Sequence, residues 1–541
     1  MSEDTSSTTG TGAGPDDDED AATAGAPMAG GSGGSEKGAG TTGGKAADEE
    51  PTDDLVTTEH RLQVLVDQAA GGDPTAPGAT RELRYRARTG RLVVRRETTG
   101  DKGSEGHTAV AQMAVTSYEV LGEDGVPDTS RPVTFVFNGG PGASSVWLHL
   151  GVLGPRRVVM GDAGSLLPPP GGLADNPQTL LTETDLVFVD PVSTGWSRVR
   201  TGRKAEEFHG FTGDVESVSE LIRLWVTRND RWLSPKLLAG ESYGTLRAVA
   251  VAKHLQERHH LPVNGIALVS MVLDMGTIRF QPGNDRPYPA FLPTYAALGH
   301  FHGVAGAEVP LAEHVAAASE FARGEYTAAL AAGSRIDPDQ RARVVARVAE
   351  LTGLSEDFVD RVDLRIEHLR FYAELLRHRR QVVGRLDGRF VGYEDDAAHE
   401  QISADPFITA TGGPYTAAFL HYVSTELGYR NDLPYKVLSE LVHPWSYKEF
   451  EGRSVTVAHD LGTLLRRNEH LRVHVACGYY DGATPFAAAE DTLAQLKVPA
   501  EAHRRVETAY YESGHMMYLQ EPSRVQQSAD LAAFVRGCLP G

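Results

Sequence analysis

The chain has 541 residues with a formal net charge of -21 at pH 7, and 40% of them are hydrophobic. This composition predicts an acidic globular protein, and it lacks the basic patches with interleaved aromatic residues that nucleic-acid binding uses. With neither a signal peptide nor a run of about 20 apolar residues visible, we expect a cytoplasmic protein without a membrane partner.

Residues 1–54 differ in composition from the rest of the chain. They hold 13 acidic residues against two lysines, many Gly, Ala, Ser and Thr residues, and no aromatic residue. Such a segment cannot bury enough apolar surface to offset the entropy lost on ordering. We therefore predict a disordered acidic tail.

Strand and helix patterns alternate after the tail, which favours a mostly parallel central sheet flanked by helices. The predicted core has two parts, residues 55–274 and residues 446–541. In the first part, strands are predicted at 91–96, 107–115, 132–137, 185–190 and 265–270, with an amphipathic helix at 211–228.

The segment 240–244 reads G-E-S-Y-G and carries the strongest chemical signal. It lies between a predicted strand at 235–239 and a predicted helix at 245–254. A sharp strand-to-helix turn with small flanking residues exposes a strained serine, here Ser242, and the following helix N-terminus stabilises negative charge. The pattern predicts a nucleophile for acyl transfer.

Two later loops supply the partners that a serine nucleophile needs. Asp481 follows a predicted strand at 471–477, and His515 follows one at 504–511. The order Ser, Asp, His is that of hydrolases with a nucleophile elbow. We therefore expect these three side chains to meet at the carboxyl edge of the sheet.

The run N-G-G-P-G at 138–142 follows the predicted strand at 132–137. Glycines at this point let backbone N–H groups face a cavity, as an oxyanion hole requires. A plain turn cluster is the alternative interpretation.

Residues 275–445 interrupt the alternation. Helices are predicted there at 311–331, 338–351 and 364–379. An insertion between nucleophile and acid is where a hydrolase carries its cap, so we predict a largely helical cap domain.

These motifs together resemble the serine carboxypeptidase family, peptidase family S10. The matching stretches run in the family's order over most of residues 80–540: 137–145 (F-N-G-G-P-G-A-S-S), 189–197 (V-D-P-V-S-T-G-W-S), 240–244, 478–481 and 513–516 (S-G-H-M). The resemblance implies an α/β-hydrolase fold and hydrolysis of C-terminal peptide bonds.

The resemblance also implies the role of each site residue. Ser242 would be the nucleophile, His515 the general base and acid, and Asp481 the group that orients it. The N–H groups of Gly140 and Tyr243 would form the oxyanion hole, and a substrate carboxylate would bind to Asn138, the N–H of Gly139 and Glu241. The substrate would be a peptide or a small acyl compound, with no cofactor and no metal; the oligomeric state stays open.

One departure from the family lies close to this site. Val152 stands where the family usually has a second glutamate, and Ala143 where it commonly has a cysteine. Either Arg156 or Arg157 would then bind the carboxylate, or C-terminal specificity would be relaxed. An esterase, an acyltransferase or another amide hydrolase, including an aminopeptidase-type enzyme, therefore stays open, and so does a catalytically silent binding protein.

Overall fold

The computed structural model describes residues 50–65, 79–100 and 103–539. The strands in chain order are β1 (Val56–Leu65), β2 (Thr80–Gly100), β3 (Gly103–Val120), β4 (Val133–Phe137), β5 (Arg156–Val159), β6 (Gly172–Asp175), β7 (Asp185–Val189), β8 (Arg198–Val199), β9 (Lys236–Glu241), β10 (Gly265–Val269), β11 (Gln381–Val383), β12 (Val391–Tyr393), β13 (Arg472–Gly478) and β14 (Val506–Tyr511).

The helices surround the sheet and fill the insertion. In chain order they are α1 (Val146–Leu148), α2 (Phe211–Arg228), α3 (Tyr243–His259), α4 (Pro287–Phe301), α5 (Leu311–Phe321), α6 (Thr327–Ala332), α7 (Pro338–Thr352), α8 (Glu356–Arg361), α9 (His368–Glu374), α10 (Pro406–Thr425), α11 (Ala458–Arg467), α12 (Phe486–Ala494), α13 (Ala500–His503) and α14 (Glu521–Gly537). A π-helical turn at His149–Leu153 and a 3-10 turn at Met517–Leu519 lie next to the candidate site.

One large sheet forms the centre, in the order β1-β2-β3-β7-β4-β9-β10-β13-β14, with β8 beside β3. The pairs from β1 to β7 are antiparallel, and those from β7 to β14 are parallel. The central parallel strands β4, β7 and β10 are buried throughout, as strands covered on both faces must be. The predicted α/β class with a mostly parallel sheet is therefore confirmed.

The core lies on both faces of this sheet because successive side chains of a strand point to opposite sides. In β4, Phe135 and Phe137 join the core layer that contains α2 and α3, whereas Val136 joins the layer that contains α14. Two buried layers thus hold the sheet rigid and fix its carboxyl edge, where the candidate residues lie.

The predicted opening hairpin is present as β2 and β3, and the predicted helix at 211–228 coincides with α2. The helix predicted at 364–379 is wrong at both ends. Only α9 is α-helical there, because Asp363 and Leu364 have positive φ angles of 52° and 63° and a 3-10 turn follows at Arg377–Arg379. Similarly, a π-helical turn at Ala322–Tyr326 divides the helix predicted at 311–331.

The end of the predicted tail contacts the sheet. Asp54 accepts two hydrogen bonds from the Arg91 side chain, and Asp53 accepts one from the backbone N–H of Val93. Glu50 pairs with Arg95. Residues 50–54 of the predicted tail therefore contact β2, and residues 1–49 lie outside the described residues.

The predicted insertion at 275–445 contains α4 to α10 and the small β11-β12 ladder. The loop that joins β11 to β12 reaches back to the carboxyl edge of the large sheet, as described below. In the part of the chain that the structure describes, no helix is long and apolar enough to span a bilayer.

Candidate active site

Ser242 lies at the sharp turn between β9 and α3. Its φ and ψ angles are 61° and -130°, a strained conformation for a residue with a side chain. A Cβ on Gly240 would come within 2.0 Å of the Gly244 carbonyl oxygen, and one on Gly244 within 2.9 Å of the Asn138 oxygen. Both glycines of the motif are therefore required by close backbone approach, which explains the G-x-S-x-G spacing.

Residues 138–142 after β4, which we call the glycine loop, pack against the N-terminus of α3. A Cβ on Gly139 would lie 2.5 Å from the Tyr243 nitrogen, and Gly140 has a φ of 100°. Within the described ranges, neither the Gly140 N–H nor the Tyr243 N–H donates a hydrogen bond to the protein. The two N–H groups proposed for the oxyanion hole are thus brought to the same turn, available to a ligand.

Asp481 and His515 meet behind this turn. His515 Nδ1 is 2.8 Å from Asp481 Oδ2, and both side chains are almost fully buried. Asp481 accepts a hydrogen bond from Nδ1–H, which leaves Nε2 as the basic nitrogen. The half-buried Ser242 hydroxyl has no hydrogen-bond partner among the described residues.

A compact network fixes the Asp481 carboxylate. The N–H groups of Ala483 and Thr484 donate to Oδ1 at 2.8 and 2.9 Å, and the Thr484 hydroxyl donates to Oδ2 at 2.8 Å. Burial alone would lower the pKa of His515, but the charge and hydrogen bond of Asp481 raise it above its usual value. The imidazole is therefore held as a strengthened base.

Glu241 is buried beside Ser242, and both of its carboxylate oxygens have a donor. Asn138 Nδ2 donates to Oε1 at 2.8 Å, and the Tyr518 hydroxyl donates to Oε2 at 2.7 Å. Burial raises the pKa of Glu241 to about 7, against these two hydrogen bonds and the charge of His515. Glu241 thus has a proton to share near neutral pH, as recognition of a second carboxylate requires.

Arg247 on α3 is a buried side chain that contacts the glycine loop. It forms a buried ion pair with Asp214 at 2.7 Å, and its Nη1 donates to the Asn138 carbonyl oxygen. The guanidinium also lies over the rings of Phe137 and Tyr243. One buried cation therefore ties α2, α3 and the glycine loop together.

The loop after β11 is a part of the site that the sequence reasoning missed. The N–H of Gly482 donates to the Arg385 carbonyl oxygen at 3.0 Å, and the N–H of His515 donates to the Leu386 carbonyl oxygen at 2.7 Å. We call residues 384–389 the cap loop. It reads G-R-L-D-G-R, which signals a turn but does not indicate its partner.

A buried ion pair anchors the cap loop. Asp387 and Arg389 bond at 2.6 Å, and Arg389 also donates to Ser513 Oγ at 3.1 Å. The Gly514 N–H donates to Asp387 at 3.2 Å. The cap loop therefore contacts both residues that precede His515, Ser513 through its hydroxyl and Gly514 through its backbone N–H.

Both arginines considered for carboxylate binding are paired with acidic residues. Arg156 pairs with Asp175 and Glu426, and Arg157 pairs with Glu521. Val152 is buried within the π-helical turn and carries no charge. The polar group next to Glu241 is instead Tyr518, a second residue that the sequence reasoning missed.

Ligand atoms for a metal ion come within 4.8 Å of one another at Glu394, Asp395 and His399, where two of the three residues are exposed. This cluster is on the insertion, around β12, and shares no hydrogen bond with Ser242 or its neighbours within the described ranges. The chemistry at Ser242 does not use it.

Residues 118–282 match the model of the serine carboxypeptidase family. The match includes the glycine loop, Glu241 and Ser242, and ends before Asp481 and His515. No curated protein matches the chain.

Solved structures with a similar fold come from several organisms. A prohormone-processing carboxypeptidase from Saccharomyces cerevisiae is 12% identical, with a TM-score of 0.45 and coverage of 89% of this chain and 92% of that one. A proline iminopeptidase from Mycobacterium smegmatis is 15% identical, with a TM-score of 0.33 and coverage of 83% and 98%. The chain is therefore similar to serine carboxypeptidases over residues 118–282, within an α/β fold built on a mostly parallel sheet.

Proposed function

We propose that the protein is a serine-type carboxypeptidase that hydrolyses C-terminal peptide bonds through an acyl-enzyme on Ser242. The observation that carries the proposal is the buried pair of Asn138 and Glu241 directly beside the Ser242 turn. Cleavage of an ester or amide without a free terminal carboxylate does not require a buried carboxyl with a pKa of about 7 beside the nucleophile. A site that binds a terminal carboxylate does.

The first half of the proposed reaction forms the acyl-enzyme. The Ser242 oxygen attacks the scissile carbonyl carbon while His515 Nε2 takes the hydroxyl proton. The N–H groups of Gly140 and Tyr243 stabilise the negative oxygen of the tetrahedral intermediate. His515 then gives its proton to the leaving amine, and the C-terminal amino acid departs.

The second half restores the enzyme. Water attacks the acyl carbon, His515 takes a proton from that water, and the tetrahedral intermediate collapses with return of the proton to Ser242. Asp481 keeps the imidazole oriented throughout and stabilises its charged form. The reaction needs neither a metal nor a cofactor.

Recognition of the substrate's terminus would use Glu241, Asn138 and the N–H of Gly139. A protonated Glu241 donates to the substrate carboxylate, because two ionised carboxylates at hydrogen-bond distance repel each other. Asn138 is held by its own bonds, since its Oδ1 accepts from the Leu148 N–H at 3.2 Å.

The test compares a blocked dipeptide with a free C-terminus and the same dipeptide amidated there. We expect the free acid to be cleaved with the higher kcat/KM below about pH 7, with Ser242→Ala as the inactive control. Equal cleavage of the amide or of a simple ester would contradict carboxypeptidase specificity.

A second candidate is an esterase, acyltransferase or other amide hydrolase on the same residues. Val152 in place of the family's second glutamate favours it, because that part of the site is apolar. Equal cleavage in the comparison above would support this candidate, and transfer to an added alcohol or amine would identify an acyltransferase.

A further inference from the structure

We propose that Tyr518 takes the place of the missing second carboxyl as the partner of Glu241 and thereby sets the upper pH limit for binding a substrate carboxylate. The inference rests on the proposed function. It assigns a positioning role to a residue that lies outside the family match and three residues beyond His515.

The partner of the Glu241 carboxyl is the Tyr518 hydroxyl rather than a second carboxyl. The ring lies directly on Gly151, since a Cβ there would come within 2.3 Å of two ring carbons. Val152, the next residue, is the position where the glutamate is absent. The absence of a side chain at Gly151 thus leaves the room that the tyrosine ring occupies, next to the position that carries no carboxyl.

The Tyr518 hydroxyl cannot act as a second acid. Burial, and then the charge of Glu241, raise the pKa of Tyr518 well above its usual value. The hydroxyl therefore stays protonated and donates to Glu241 at every working pH. A pair of carboxyls would share one proton between them, whereas the hydrogen-bond partners of the Glu241 carboxyl here are a hydroxyl and an amide.

Donation by Tyr518 favours the ionised form of Glu241. The other groups that face Glu241 are Asn138 and His515, which also favour ionisation, and Asp481, which opposes it. Tyr415 on α10 lies near as a neutral, buried hydroxyl. A substrate carboxylate binds to the protonated form of Glu241. Tyr518 favours the ionised form, so it lowers the highest pH at which such a substrate binds.

The main test is Tyr518→Phe, which removes only the hydroxyl. Loss of a hydrogen bond to a charged group corresponds to about one pH unit. We expect the upper pH limit of kcat/KM for the free-acid dipeptide to rise by that amount relative to the amide. At about pH 8, KM for the free acid should fall about fivefold, because a larger fraction of Glu241 is protonated.

The matched control is Tyr511→Phe, which removes a buried hydroxyl that donates to Asp530 at 2.8 Å on α14. It should leave the upper pH limit unchanged. A second variant, Gly151→Ala, should displace the Tyr518 ring and raise the limit as Tyr518→Phe does. Thermal unfolding of each variant shows whether it is folded at the assay temperature.

A readout without turnover uses the Ser242→Ala background. Calorimetry of the free-acid dipeptide at about pH 6 and pH 8 should show affinity lost between the two, with a smaller loss when Tyr518→Phe is added. A wild type that prefers the free acid, with an unchanged limit in Tyr518→Phe, would overturn this inference alone. A wild type without that preference would overturn the proposed function.

Discussion

The backbone N–H of His515 donates a 2.7 Å hydrogen bond to the carbonyl oxygen of Leu386. This bond joins the candidate general base to the insertion, which lies between nucleophile and acid in the sequence. The insertion therefore contacts the candidate site through its cap loop, and we expect substitutions in this loop to affect the rate although they are remote from the substrate.

The ion pair of the cap loop gives a stability prediction. Arg389 is buried, with only 4% of the residue exposed. Asp387→Ala removes the main ion-pair partner of its guanidinium. We expect a loss of about 3–5 kcal/mol in the free energy of unfolding. Urea denaturation measures it, and kcat should fall as well because the His515 loop loses its support.

The control for that substitution is an exposed pair on α8. Arg361 and Asp357 bond with side chains that are 61% and 86% exposed. Asp357→Ala should change the free energy of unfolding by less than about 1 kcal/mol. Similar losses in both variants would show that the cap-loop pair does not hold the site.

Asp481→Asn tests the orientation of His515. The carboxylate only accepts hydrogen bonds, whereas the asparagine amide presents an NH2 donor to Nδ1, so the imidazole adopts the wrong tautomer. In a serine-protease triad this change lowers kcat by about 10⁴-fold, and we expect a loss of that order here. A near-normal kcat on an ester substrate would mean that another acid orients His515.

In the proposed reaction, the pH dependence follows from two groups with opposite requirements. His515 must be neutral to act as a base, so activity rises with pH through its raised pKa. Glu241 must be protonated to bind a carboxylate, so binding is lost as the pH rises through about 7. We expect a bell-shaped kcat/KM profile for the free-acid dipeptide and a profile that falls only on the acid side for the amide.

Glu241→Gln provides the matched variant for this profile. The glutamine amide donates a hydrogen bond at every pH and has no proton to lose in this range. The alkaline fall for the free acid should therefore disappear, while the acid fall stays. An unchanged alkaline fall would assign it to another group.

Two truncations separate the tail from the sheet. Removal of residues 1–49 should leave activity and Tm nearly unchanged, since their composition predicts disorder. Removal of residues 1–54 also deletes Asp53 and Asp54, which bond to β2. We expect Tm to fall by about 2–4 °C in the longer truncation only. Equal Tm values in both would show that these contacts contribute little.

The sequence predicts the elements that local pattern specifies. The elbow around Ser242, the glycine loop and the buried strands of the sheet were all recognisable, because each requires particular residue types at fixed spacing. The predicted helix at 364–379 failed where positive φ angles at Asp363 and Leu364 delay its start. A positive φ angle at a leucine leaves no composition signal, since Asp and Asn are the residues besides glycine that favour it.

Contacts between distant parts of the chain explain what could not be predicted. Tyr518 reaches Glu241 across 277 positions of sequence, and Leu386 reaches His515 from inside the insertion. The sequences around Tyr518 and Leu386 do not indicate which distant residue each will contact. The contact between Thr484 and Asp481 is local, because the two residues are three positions apart. A threonine at this spacing is a signal from which a hydrogen bond within the loop could be predicted.

The most direct test of the account is to trap the acyl-enzyme with an activated ester whose acyl group leaves slowly. Mass spectrometry of the quenched and digested protein should place one acyl group on the peptide that contains Ser242, and Ser242→Ala should lose both the adduct and turnover while keeping its Tm. An adduct on another residue, or turnover that survives in Ser242→Ala, would contradict the assignment of Ser242 as the nucleophile.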